Sequence, residues 1–159
     1  MRILLIALCA AGCASSEREP SKAAAPAAPA PAAPGGEGAS VSGLAESAIP
    51  KGGCGMVLWT LDEERPTPVF RYIVGKSAEM VLNGKQVKLV LAEATGSGGF
   101  GVFESQKFTA DGGMTVNVQS RFSLGFDGGA YLERGVISVM TADGWKTVVP
   151  AAGIAGCRS

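Results

Sequence analysis

From Met56 to Val149 the apolar residues of this chain recur at every second position, broken by short glycine-containing turns. A side-chain period of two belongs to strands with one buried face, and no stretch of the region carries the three-to-four spacing of a helix. Phe70, Tyr72 and Val74 alternate, as do Ala78, Met80 and Leu82. Asn83-Gly84 then supplies the residue pair best suited to a two-residue hairpin, because both positions need positive φ. Such a turn sets Leu82 opposite Lys85, Met80 opposite Val87 and Ala78 opposite Leu89, so both apolar sets share one face. Met114, Val116, Val118, Ser120, Phe122, Leu124 and Phe126 keep one parity, while Thr115, Asn117, Gln119 and Arg121 keep the other. Tyr131 to Thr141 reads as the next strand, and Trp145, Thr147 and Val149 alternate up to Pro150.

The turns at Asp111-Gly112, Asp127-Gly128 and Asp143-Gly144 recur in steps of sixteen residues. A strand and turn of constant length produce that spacing in a meander, and the unlike sequences between them favour this over a decayed repeat. Gly125 and Gly135 fall inside long strands and are expected at bulges or corners. The whole reads as an all-β, antiparallel meander of about eight strands. A chain this short must hide its sheet edges, and closure into a barrel does so most completely; a two-sheet sandwich is the alternative.

Cys54 and Cys157 bracket this domain, which is read as residues 50–159. In an exported, oxidising compartment they are expected to form a disulfide that ties the first strand to the C-terminal tail. No Cys-x-x-Cys spacing supports a redox or metal role for them, and the chain has no histidine to complete a zinc shell. No metal and no other cofactor is expected.

The N-terminus has a different grammar. Arg2 is followed by nine apolar or small residues, Ile3 to Ala11, and then by Gly12-Cys13. A positive residue, a short apolar run and a small-residue end make an export signal, expected over residues 1–12. The run is far short of the roughly 20 residues that span a bilayer. Ala10-Ala11-Gly12-Cys13 resembles the lipobox of bacterial lipoproteins. That resemblance implies lipidation at Cys13, an anchor in the membrane through acyl chains, and delivery to the outer membrane, since Ala14 stands where an aspartate would retain the protein at the inner one; the periplasmic face of the inner membrane, or secretion after ordinary cleavage, is the alternative. Residues 13–49 then read as a tether, in which Val41 to Ile49 could form one helical turn or a first strand. Prolines 26, 29, 31 and 34 interrupt an alanine-rich run and favour extended chain, and Gly35-Gly36 loosens it further.

Acidic and basic residues number 14 each, which gives no field to hold a nucleic acid. The absence of histidine removes His-dependent triads and HExxH sites. Gly96-Ser97-Gly98-Gly99-Phe100-Gly101 matches a dinucleotide fingerprint in letters, but a strand pattern follows it where the phosphate-binding helix should begin, so no nucleotide is expected. It reads instead as a loop between strands, with a binding loop as the alternative. Asp62-Glu63-Glu64 reads as a solvated loop. Glu79, Glu93, Glu104 and Glu133 would make a hydrolase site only if the fold brought two together, and nothing in the sequence singles out a pair. No catalytic residue is assigned. Trp59 and Trp145 read as core or rim residues before ligand platforms.

The order Cys54, Ala78 to Leu82, Asn83-Gly84-Lys85, Val87 to Leu89, Ser97-Gly98-Gly99-Phe100 and Cys157 is similar to that of the membrane-bound inhibitors of c-type lysozyme. These are small lipoproteins with an antiparallel barrel and cysteines near both domain ends. The resemblance implies that Ser97, with Phe100 beside it, and Lys146, beside Trp145, are partner-binding residues that block an enzyme cleft. The leading expectation is broader: a non-enzymatic envelope lipoprotein whose tethered β domain binds or supports an envelope protein. Lysozyme inhibition is its alternative and a periplasmic carboxylate hydrolase the third.

Overall fold

The computed structural model describes residues 38–159. The signal, Cys13 and most of the tether lie outside the described residues. Nine strands follow one another: β1 (Val41–Ser42), β2 (Gly53–Thr60), β3 (Pro68–Ile73), β4 (Ala78–Leu82), β5 (Lys85–Gly99), β6 (Val102–Thr109), β7 (Thr115–Phe126), β8 (Gly129–Met140) and β9 (Lys146–Arg158). A single 3-10 turn, Asp111–Gly113, joins β6 to β7. From β2 to β9 each strand pairs antiparallel with the next, and β9 returns to pair with β2 along eight residue pairs. The sheet is therefore a closed eight-stranded meander, a barrel and not a sandwich, with β1 as one added strand on β4. Closure gives every strand of the barrel a partner on both sides, as so short an all-β chain requires.

Eight strands enclose just enough room for side chains to fill. Met56, Leu58, Phe70, Met80, Leu89 and Phe108 are fully buried inside, and the Phe108 ring meets Phe70 and Tyr72 edge-on at 5.2 Å each. The Asn83-Gly84 hairpin has the expected register, with Leu82 opposite Lys85, Met80 opposite Val87 and Ala78 opposite Leu89. Where it pairs with β2, strand β9 shows the core small residues, Ala151, Gly153 and Ala155, and a Cβ at Gly153 would run into the Val57 carbonyl. Big side chains on β2 take up the space this leaves.

Cys54 and Cys157 stand directly opposite one another on β2 and β9, Cα atoms 4.0 Å apart, and are disulfide-bonded. The bond rivets the seam where the first and last barrel strands meet.

Three expectations fail for local reasons. Strand β9 does not stop at Pro150 but runs on to Arg158. The β2 ladder begins only at Ala151, so Pro150 has a strand on one side alone and its missing N–H is tolerated. Parity in β7 holds to Ser120 and Phe122 but not beyond. An extra residue between Phe122 and Gly125 reverses the faces and leaves Leu124 and Phe126 outside, 76 % and 41 % exposed. A second bulge lies opposite, at Arg134-Gly135 in β8, so both glycines expected at bulges do sit at them. Finally, Gly96 to Gly99 is no loop: it continues β5, and only Phe100-Gly101 turns. The tip of this hairpin lies against Val74, where it buries Val102 completely.

The folded unit also begins before residue 50. Ala39 reaches the core, and β1 wedges beside β4, where Ser40 and Asn83 exchange hydrogen bonds. Residues 44–50 then strap the outer face of β2 and β3. Leu44 and Ile49 are buried there, and Ile49 packs with Val57, Ile73 and Trp59. Arg71 clamps the strap, donating from Nη1 to the Ala48 carbonyl at 3.2 Å and from Nη2 to Glu79 Oε2 at 2.6 Å. Composition marked these residues as tether because Val41, Leu44 and Ile49, scattered among small and polar residues, cannot signal a fold until a wall exists to receive them.

Candidate functional site

Since Met56 and Leu58 point inward, Val57 and Trp59 must point out. The same rule turns Ile154 outward on β9 and Tyr131 outward on β8. Ladder register then aligns Val57, Ile154 and Tyr131 in one row across three strands, with Trp59 beside Ala152. The bulge in β7 adds Phe126, whose ring lies 5.1 Å from that of Tyr131. Leu61 and Tyr131 remain 58 % and 51 % exposed.

The row forms the floor of two adjoining hollows of about 440 Å³ each, which share Trp59 and Ile154. One wall is the strap at Ser47 to Ile49, and the opposite wall is Phe126 and Tyr131. Asp127 and Arg158 stand at the disulfide end, and Asp62 at the other. Arg158 also donates to the Ile49 carbonyl at 3.2 Å, so it fixes the strap's C-terminal part as Arg71 fixes its middle. Chemically this is an apolar groove with aromatic sides and charges only at its ends. It is suited to holding an apolar segment.

The residues suggested by the lysozyme-inhibitor resemblance lie elsewhere. Turns of a meander alternate between the two barrel ends. Ser97 and Phe100 belong to the β5–β6 hairpin at the disulfide end, whereas Trp145 and Lys146 belong to the β8–β9 turn at the opposite end. Each pair is together; the two pairs are not. The Ser97 N–H donates to Glu104 Oε2 at 3.3 Å, and Phe100 is 37 % exposed with φ 57°. Trp145 is half-buried, with its carbonyl accepting from Thr141 N–H at 3.0 Å, and Lys146 is exposed.

Asp62, Glu79, Glu104 and Glu133 have separate local partners. Asp62 Oδ1 accepts the N–H groups of Glu64 and Arg65 at 3.0 Å each, which makes the acidic run a side-chain-closed turn. Glu79 is held by Arg71, Glu104 by the Ser97 N–H, and Glu133 accepts from the Ser123 hydroxyl at 2.7 Å. Glu79, Glu93, Glu104 and Glu133 occupy four different strands. One titration is displaced: burial pushes the Tyr72 phenol above its ordinary value, against a smaller opposing effect from the Gly75 backbone.

Tyr131, Phe126 and Ile154 carried no signal in the sequence. Phe126 had the parity of a core residue, and only the bulge at Gly125 could have warned otherwise. No protein-family model, curated protein or solved structure matches the chain.

Proposed function

We propose that this chain is a non-enzymatic envelope lipoprotein, anchored through Cys13 in the outer membrane, whose barrel faces the periplasm and holds an apolar segment of a partner protein. The observation that carries the reading is the Trp59–Ile154–Tyr131 groove. The barrel interior is filled with its own side chains, and yet large apolar groups stay outside on one wall, side by side. Contiguous exposed apolar surface of this kind marks interaction sites, and Trp and Tyr are the residues that most often dominate them. Neutral overall charge and polar groups confined to the groove's ends favour a partner recognised by shape and apolar contact. A tether rich in alanine and proline gives the domain reach from the membrane.

The test places a photo-crosslinking residue at Tyr131, and for comparison at Lys88 on the far wall, in the intact protein in cells. A discrete adduct from position 131 alone is expected. The identified partner should then bind Trp59→Ala at least tenfold more weakly, with the barrel still folded. Equal labelling from both positions, or unchanged affinity, would refute the groove. Palmitate labelling that persists in Cys13→Ala would refute the anchor.

Lysozyme inhibition ranks second because it needs Ser97 and Lys146 in one interface, and they lie at opposite ends of the barrel. Inhibition of c-type lysozyme at stoichiometric amounts would reverse that order.

A further inference from the structure

Away from the groove, the barrel wall opens between β6 and β7. Their ladder ends at Ser105 opposite Gln119, although β6 begins at Val102 and β7 runs on to Phe126. The open seam is a cleft of about 360 Å³, lined by Gly96, Glu104, Ser105, Gln119, Ser120, Arg121 and Arg134. Two guanidiniums and one carboxylate give it a net charge of +1. Among the described residues neither Arg121 nor Arg134 makes an ion pair. Ser120 is 5 % exposed, and its hydroxyl has no hydrogen-bond partner among the described residues. On β6, next to Ser105 in the chain, the Gln106 side chain is 1 % exposed, with Oε1 taken by the Phe103 N–H and Nε2 unpartnered among the described residues. Buried polar groups without partners are rare enough to require a reason.

Arg134 supplies a second, independent indication. It is the extra residue of the β8 bulge, at φ 50°, a left-handed conformation that non-glycine residues seldom adopt. Bulges of this kind re-aim a side chain, and backbone outliers collect at binding sites. Here the bulge sets a second guanidinium in the same cleft as Arg121.

We propose that the β6–β7 seam is a binding site for a carboxylate. Paired guanidiniums match a carboxylate in bidentate geometry. One negative charge neutralises the cleft, whereas a phosphate dianion would leave excess charge beside Glu104. Glu104, fixed by the Ser97 N–H, accepts an N–H or O–H next to the ligand's carboxylate. That chemistry fits a small acylated amino acid or the C-terminus of a peptide, whose backbone would run along the free margins of β6 and β7.

The test titrates the full-length chain, held in detergent micelles, with N-acetylalanine, N-acetylalaninamide, an acetylated tripeptide with a free C-terminus, and inorganic phosphate, followed by amide NMR shifts. Saturable shifts at Gly96, Ser105, Ser120, Arg121 and Arg134 are expected with the two carboxylates and not with the amide. Arg121→Gln should weaken carboxylate binding at least tenfold. So should Arg134→Gly, which keeps the bulge because glycine accepts its φ. If the tripeptide binds at least tenfold more tightly than N-acetylalanine, the ligand is a peptide terminus; if the two are equal, it is a small acid. Equal shifts with the amide, tighter binding of phosphate, or unchanged affinity in the folded variants would overturn the proposal.

Discussion

Cutting the rivet between Cys54 and Cys157 should cost this domain a large part of its stability. The bond closes a loop with a sequence separation of 103. A loop of about 100 residues removes conformational entropy from the unfolded chain worth about 4.7 kcal/mol at 25 °C, while measured losses of native disulfides run at about 2–5 kcal/mol. Domains of this size hold only about 5–15 kcal/mol in all. The native barrel should survive the change, because eight residue pairs join β2 to β9 without the bond. The loss therefore acts mainly through the unfolded state, and it can be read in Cys54→Ala/Cys157→Ala by urea unfolding followed by tryptophan fluorescence. With a slope of about 1.5 kcal/mol/M, the midpoint should fall by about 1.5–3 M. The slope itself should rise, since the uncrosslinked chain expands further on unfolding. Reduced wild type should superimpose on the variant, and reductant should not affect the variant. A shift under about 0.5 M, on the same slope scale, would refute the chain-entropy reasoning. An identical midpoint with and without reductant would refute the bond.

Gly153→Ala places a methyl group against the Val57 carbonyl in the β2–β9 seam and should destabilise by about 1–3 kcal/mol, as overpacking does. Gly43→Ala meets mainly the end of the Thr67 side chain, which can turn away, so denaturation should show a much smaller loss there. Arg71→Met removes the clamp on the strap and leaves Glu79 half-enclosed without its cation; amide exchange at residues 44–50 should speed up at least tenfold, while the core strands keep their protection. Tyr72 is raised in the folded state, so its contribution is complete below about pH 10, where the unfolded phenol is still neutral, and is lost as pH rises through the folded value. Tyr72→Phe should flatten the alkaline arm of a stability–pH profile, and an unchanged arm would show that another group governs it.

Much of the barrel is legible in the chain because strand periodicity and turn chemistry are local. Asn83-Gly84 dictates a two-residue turn, and the turn dictates which residues of β4 and β5 face each other. Gly125 and Gly135 announce bulges for the same reason. The disulfide follows from position, as Cys54 and Cys157 are the two cysteines that bracket the strand pattern. The strap at residues 44–50 is illegible, because Leu44 and Ile49 acquire a meaning only against Val57, Ile73 and the Arg71 guanidinium, all distant in sequence or hidden in a strand pattern. The same holds for Arg121 and Arg134, two ordinary surface arginines until a bulge brings them to one cleft.

Alternation and turns alone determine that the chain is an antiparallel β protein, and they determine which side chains of each strand share a face up to the first bulge. They say nothing of which outward faces become neighbours. That was decided when β9 closed on β2, bringing Ile154 beside Val57 across nearly a hundred residues of chain, and when one extra residue in β7 turned Phe126 from the core to Tyr131. A period of two carries information only along a strand. Adjacency across the barrel depends on closure and on the number of bulges, and both are settled by packing the whole interior at once.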